Sequence, residues 1–201
     1  MTVVLPVLLV IDVQQGFLEQ SWGPSNNPGC EDNVRSFLGL WRERDWPVVL
    51  VRHHSREENS PLYPGSPGGE FQEGIAGKSH FLVTKSVNSA FYGTPDLHQW
   101  FTDEGHHHLV VCGITTNRCC ETTARMAENL GYQVTFVEDA TRAFDAHHPE
   151  FTIISATDIA RASCASLYGN LPPWCPQQNL SCRSRAKEDS WRACQGSLTN
   201  Q

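Results

Sequence analysis

The sequence predicts an α/β protein of three layers, α-β-α, built on a mostly parallel sheet of five to six strands. Three observations carry this reading. Apolar runs of strand length alternate with helix-length segments, the pattern of strands joined by crossover helices. The run from Leu5 to Ile11 is apolar throughout, as suits a central parallel strand covered on both faces. Finally, Asp12 and Lys85 follow directly on two such runs and Cys119 comes soon after a third. The carboxyl ends of strands are where open α/β sheets bind ligands.

The elements follow in order. A first strand covers residues 5–11. The turn-rich stretch Ser25 to Gly29 leads into a helix over 31–44, started by Cys30 or Asp32. A second strand covers 47–52. From His53 to His80 no periodicity is evident, and Gly, Pro and Ser abound; a loop of this length in a compact domain is usually functional, and it is expected to rim the active site. A third strand at 81–84 precedes a helix over 95–103, with Pro95 suited to its first position. The fourth strand, 108–113, ends in a tight turn at Gly113. The next helix, 118–130, carries Cys119 in its first turn and ends at Gly131, a C-cap glycine. A fifth strand at 133–138 and a last helix at 157–168 follow, with His147, His148 and Pro149 in the loop between them. Right-handed crossovers make the sheet parallel and cover both its faces.

At 201 residues the chain suits one domain, placed at 1–170, with a separate tail at 171–201. Two prolines and scattered charges in that tail argue against a regular sixth strand, leaving disorder or packing on a partner subunit. A net charge of −7 argues against nucleic acid, whose phosphates require a basic surface. Residues 2–11 lack a basic leader and are too few to span a bilayer, so they read as a core strand and not as a signal or membrane segment. Eight cysteines without a C-x-x-C pair indicate a reducing compartment, the cytoplasm.

The chemistry concentrates in residues 110–130. A thiol at a helix N-terminus faces unpaired N–H groups and the positive end of the helix dipole, which favour thiolate. The same N–H groups can hold an oxyanion once the sulfur attacks a carbonyl. Taken singly, each residue has a plainer explanation: Cys119 as a small core residue, Asp12 as a turn cap, Lys85 as a solvated loop charge. Three coincidences at strand ends weigh against that.

The segments Leu8–Phe17 (LLVIDVQQGF), Lys85–Thr94 (KSVNSAFYGT) and Val110–Ala140 (VVCGITTNRCCETTARMAENLGYQVTFVEDA) resemble the isochorismatase-like cysteine hydrolases. That family includes nicotinamidases, N-carbamoylsarcosine amidohydrolases and isochorismatases proper. The resemblance runs from Val3 to about Gly169. It implies the strand order 3-2-1-4-5-6, a catalytic triad of Asp12, Lys85 and Cys119, and a cis peptide between Ile114 and Thr115. It also implies an oxyanion hole from the amides of Thr115 and Cys119. Cys120 falls on the apolar position after the nucleophile.

The implied activity is hydrolysis of a C–N bond in a small amide or ureide through a thioester. Vinyl ether hydrolysis of the isochorismatase type, or a catalytically silent binding protein of the same fold, are the alternatives. Phe17, His53, Asn88, Phe91 and Tyr92 are candidate substrate-binding residues. Nicotinamidases carry Asp-x-His after the second strand; Arg52-His53-His54-Ser55 lacks that carboxylate, so neither metal nor other cofactor is expected. The resemblance, with Trp100, Phe101, Trp174 and Trp191 as spare apolar surface, implies a homodimer or homotetramer.

Overall fold

In the computed structural model, which describes residues 5–150 and 152–168, the five expected strands form one parallel sheet. They are β1 (Val7–Ile11), β2 (Val48–His53), β3 (Phe81–Lys85), β4 (His108–Ile114) and β5 (Gln133–Arg142), in the order β3-β2-β1-β4-β5. Every residue of β1 is fully buried, so the unbroken apolar run marks the middle of the sheet. Leu8 and Val10 pack on one face, against α1 (Cys30–Glu43) and the loop residues Leu62, Phe71 and Ile75. Val7, Leu9 and Ile11 pack on the other, against α2 (Leu97–Asp103), α3 (Glu121–Asn129) and Leu167 of α4 (Ala156–Tyr168). The long loop thus has apolar anchors that its composition concealed.

Two registers position the functional residues. Ile11 pairs with Gly113 across β1 and β4, and His53 pairs with Lys85 across β2 and β3. Asp12, just beyond Ile11, therefore lies near the end of β4 and the turn that follows it.

Gly113 is a strand residue, contrary to the expected tight turn. Its φ is +129°, and a Cβ there would lie 2.0 Å from the Ile11 carbonyl oxygen. Glycine is needed because β1 and β4 approach closely, next to a break in the β4–β5 register. Pro95 is not the first helical residue. The Thr94–Pro95 bond is cis, and Asp96 caps α2 by accepting a hydrogen bond from the Gln99 N–H at 3.0 Å. β5 continues four residues past its expected end. A short hairpin, β6 (Ala146–His147) with β7 (Ile153–Ile154), replaces part of the expected loop. A buried ion pair between Glu31 and Arg142 ties the start of α1 to the end of β5. The tail at 171–201 and the doubtful sixth strand lie outside the described residues. Among the described residues no helix is long and apolar enough to cross a membrane.

Candidate active site

The end of β1 is held in an uncommon conformation. Asp12 has φ +53°; its N–H donates to Val51 O at 2.9 Å, and its carbonyl accepts from the Gln14 N–H at 2.8 Å. Asp is one of the few side chains that tolerate this left-handed region, and outliers of this kind gather at functional sites. Lys85, the last residue of β3, pairs with His53 of β2. Its ammonium donates to Asp12 Oδ2 at 2.5 Å and to Cys119 Sγ at 3.3 Å, and lies 3.3 Å from His53 Nδ1. The Lys85 and Asp12 side chains are both fully buried. Burial opposes the charge on Lys85, but Asp12 and Cys119 more than reverse this, so its pKa is raised and the group stays an ammonium.

Cys119 sits in a wide, π-type turn from Thr116 to Cys120 that links β4 to α3. The peptide bond between Ile114 and Thr115, at the head of that turn, is cis. The N–H groups of Arg118 and Cys120 both donate to Thr115 O, at 3.3 and 3.1 Å. The hydroxyl of the fully buried Thr116 donates to Thr141 Oγ1 at 3.0 Å, and that hydroxyl donates to Glu138 O. This pair locks the turn to β5.

The resting form of Cys119 differs from the expectation. Only 7% of its surface is exposed, and burial, reinforced by the Asp12 carboxylate and opposed by Lys85, pushes its thiol up to about 12. A helix N-terminus contributes about 0.3–1 kcal/mol in the usual case. That is too little to outweigh loss of water beside a carboxylate, so the sulfur rests as a thiol. Asp12 Oδ1 is buried and has no hydrogen-bond partner among the described residues, which leaves it free to receive the thiol proton. Cys112 and Cys120 are fully buried and shifted well upward, Cys120 within the core cluster.

The remaining candidates separate. Asn88 Oδ1 lies 3.9 Å from Cys119 Sγ, and His53 touches Lys85. The Phe91 ring stacks on Tyr132 at 5.8 Å and packs against the core. Phe17 is buried against Trp22 and Phe144, and Tyr92 is 72% exposed. Gln14 escaped sequence reasoning, although a polar residue two places beyond Asp12 in an apolar stretch was a signal. Its fully buried amide donates to His53 O at 3.0 Å and Gly69 O at 2.9 Å, and accepts from the His53 N–H at 2.8 Å. One side chain thereby joins the ends of β1 and β2 to the long loop.

Ligand atoms of Asp12, His53 and Cys119 lie within 4.8 Å of one another, a donor set of the kind zinc takes. The Lys85 ammonium, however, is within hydrogen-bonding reach of all three residues. A second cation there would meet a fixed positive charge, so these residues do not fit a metal while Lys85 is protonated.

Known proteins carry the same framework. The model of the isochorismatase domain matches residues 6–164. The isochorismatase family protein YrdC of Bacillus subtilis is 35% identical over 162 residues, covering 80% of this chain and 86% of its own. Nicotinamidase 3 of Arabidopsis thaliana is 29% identical over 165 residues, covering 75% of this chain and 80% of its own. The crystal structure of an isochorismatase-family protein from Chromobacterium violaceum superposes with a TM-score of 0.81 at 36% identity, covering 89% of this chain and 92% of its own. With this sheet order and a match spanning most of its length, the chain belongs to the isochorismatase family of hydrolases.

Proposed function

We propose that the protein hydrolyses a C–N bond in a small amide or ureide through a thioester on Cys119. One observation carries the reading: the buried Lys85 ammonium bonds both the Asp12 carboxylate and the Cys119 sulfur. Burial and the Asp12 carboxylate push the thiol up, so the sulfur is mainly protonated at pH 7 and needs a proton acceptor as it attacks. Proton transfer to Asp12 therefore accompanies attack of Sγ on the substrate carbonyl. The amides of Thr115 and Cys119 receive the oxyanion; a donor of this kind contributes about 3–4 kcal/mol. As the tetrahedral intermediate collapses, the C–N bond breaks and Asp12 returns its proton to the leaving ammonia or amine. The same carboxylate then takes a proton from water, which attacks the thioester, and the sulfur leaves with that proton restored. Lys85 offsets the negative charge on Asp12 and sulfur throughout.

Similarity to a nicotinamidase supports carbonyl chemistry, as does a sulfur seated between a carboxylate and an ammonium. Ammonia release over a panel of primary amides and ureides tests the proposal. Cys119→Ala should abolish release, and full activity in that variant would refute the mechanism. Vinyl ether cleavage without ammonia release would favour the isochorismatase reaction. The homodimer or homotetramer remains part of the proposal; Ile153, Ile154 and Tyr168 are exposed apolar residues suited to such a contact, and a monomer by light scattering would refute it.

A further inference from the structure

An ammonium has three protons and no lone pair. Lys85 Nζ has three acceptors within reach: Asp12 Oδ2 at 2.5 Å, Cys119 Sγ at 3.3 Å and His53 Nδ1 at 3.3 Å. Each proton therefore has its own acceptor, and the third requires a lone pair on His53 Nδ1. That fixes the imidazole as the neutral tautomer protonated at Nε2. The charged groups bearing on His53 are Lys85 on β3, Asp12 at the end of β1 and its own neighbour His54. Burial first, then Lys85, lowers its pKa, with Asp12 pulling the other way.

The main chain that carries the ring is held as well. The Gln14 amide bonds both the N–H and the carbonyl of His53, as a neighbouring strand would, and is itself tied to the long loop at Gly69. Nε2, on the far side of the ring from Lys85, makes no hydrogen bond among the described residues. The site therefore contains an uncharged imidazole, one ring nitrogen of which lies within 4.8 Å of the ligand atoms of Asp12 and Cys119.

We propose that His53 Nε2–H, its tautomer set by Lys85 and its main chain fixed by Gln14, is a substrate-binding donor that selects carbonyl compounds bearing a second acceptor beside the scissile bond, such as acylureas. This rests on the reading of Cys119 as the nucleophile. The developing oxyanion has its own backbone donors, so the His53 proton is available to another acceptor. Because the imidazole is neutral, it favours an uncharged carbonyl without the long-range pull of an imidazolium on anions.

The test uses the full chain labelled with ¹⁵N-histidine. Two-bond proton–nitrogen NMR spectra distinguish the two tautomers and the imidazolium, and loss of one pattern in His53→Gln assigns the signal. His53 should show protonated Nε2 and bare Nδ1 at pH 7; the other tautomer or an imidazolium overturns the proposal. In Cys119→Ala, which binds without turning over, N-acetylurea should shift the Nε2 resonance more than acetamide does. His53→Leu in that background should weaken N-acetylurea binding about tenfold relative to acetamide, whereas His53→Gln, which keeps an N–H donor, restores most of it. Equal effects on both compounds overturn the proposal. Should the unsubstituted protein bind N-acetylurea through His53 but release no ammonia from any amide, the hydrolytic reading fails while the His53 assignment stands.

Discussion

Replacing Gly113 with alanine tests whether the close approach of β1 and β4 is what the structure says it is. The added Cβ would lie 2.0 Å from Ile11 O and 2.7 Å from both Ile11 C and Ile11 N, all main-chain atoms of the central strand. No rotamer can relieve this, so β1 and β4 must part where Ile11 pairs with Gly113. Overpacking of a well-filled interior costs about 1–3 kcal/mol. A non-glycine residue at φ +129° adds about 1–3 kcal/mol of backbone strain. Together these give about 2–6 kcal/mol, against a typical total stability of about 5–15 kcal/mol. For a chain of this size the melting temperature should fall by roughly 4–24 °C. Gly105→Ala is the control: its φ is +70°, but nothing lies within 4 Å of the added methyl, so only the strain, about 1–2 kcal/mol, should appear. Urea unfolding followed by far-ultraviolet circular dichroism measures both. If Gly113→Ala is no more destabilising than Gly105→Ala, β1 and β4 do not approach closely enough to require glycine. Activity should fall further than stability, since Asp12 directly follows Ile11 and the Ile114–Thr115 peptide directly follows Gly113.

Three further predictions concern the site and its surroundings. Dialysis against EDTA should leave the hydrolytic activity unchanged because Lys85 holds the place of a cation; loss of activity restored by zinc would refute this. Iodoacetamide should modify Cys119 ahead of Cys164, whose thiol is likewise near 12, because Asp12 can accept the Cys119 proton; peptide mapping reads the order, and faster labelling at Cys164 would refute this. Burial, helped by Glu138, raises the half-buried Asp139 from 3.8 to about 6. The folded state therefore binds its proton more tightly than the unfolded chain, so the group costs nothing below pH 4 and its full penalty above pH 6. The shift corresponds to about 3 kcal/mol, reduced to about 1–2 kcal/mol by solvent screening, and Asp139→Asn should recover that amount at pH 8 and none at pH 4. A gain that is the same at both values would show that titration is not its cause.

Strands and helices were legible because their signals are local. An unbroken apolar run such as Leu8–Ile11 has one stable place, the centre of a covered sheet, and the helical segments carry their own periodicity and caps. The candidate triad was legible for a related reason: Asp12 and Lys85 stand directly at the ends of apolar runs, and Cys119 lies within the segment that follows another. Gly113 misled because a glycine demanded by a neighbouring main chain looks, along the sequence, like a glycine demanded by a turn. Gln14 stayed hidden because its partners, His53 and Gly69, lie 39 and 55 residues away.

The sequence by itself determined the class of fold and the order of the elements, and it singled out the candidate residues for the chemistry. All of these follow from side-chain type and near-neighbour spacing. Only the tertiary structure decided their states. Cys119 is a thiol because folding removes water and brings the Asp12 carboxylate against it, effects that exceed the local pull of a helix terminus. The same packing brings the Lys85 ammonium within reach of Asp12, Cys119 and His53 at once. Charge state and proton position depend on distance and on the loss of solvent, and neither exists until strands far apart in the chain are laid side by side.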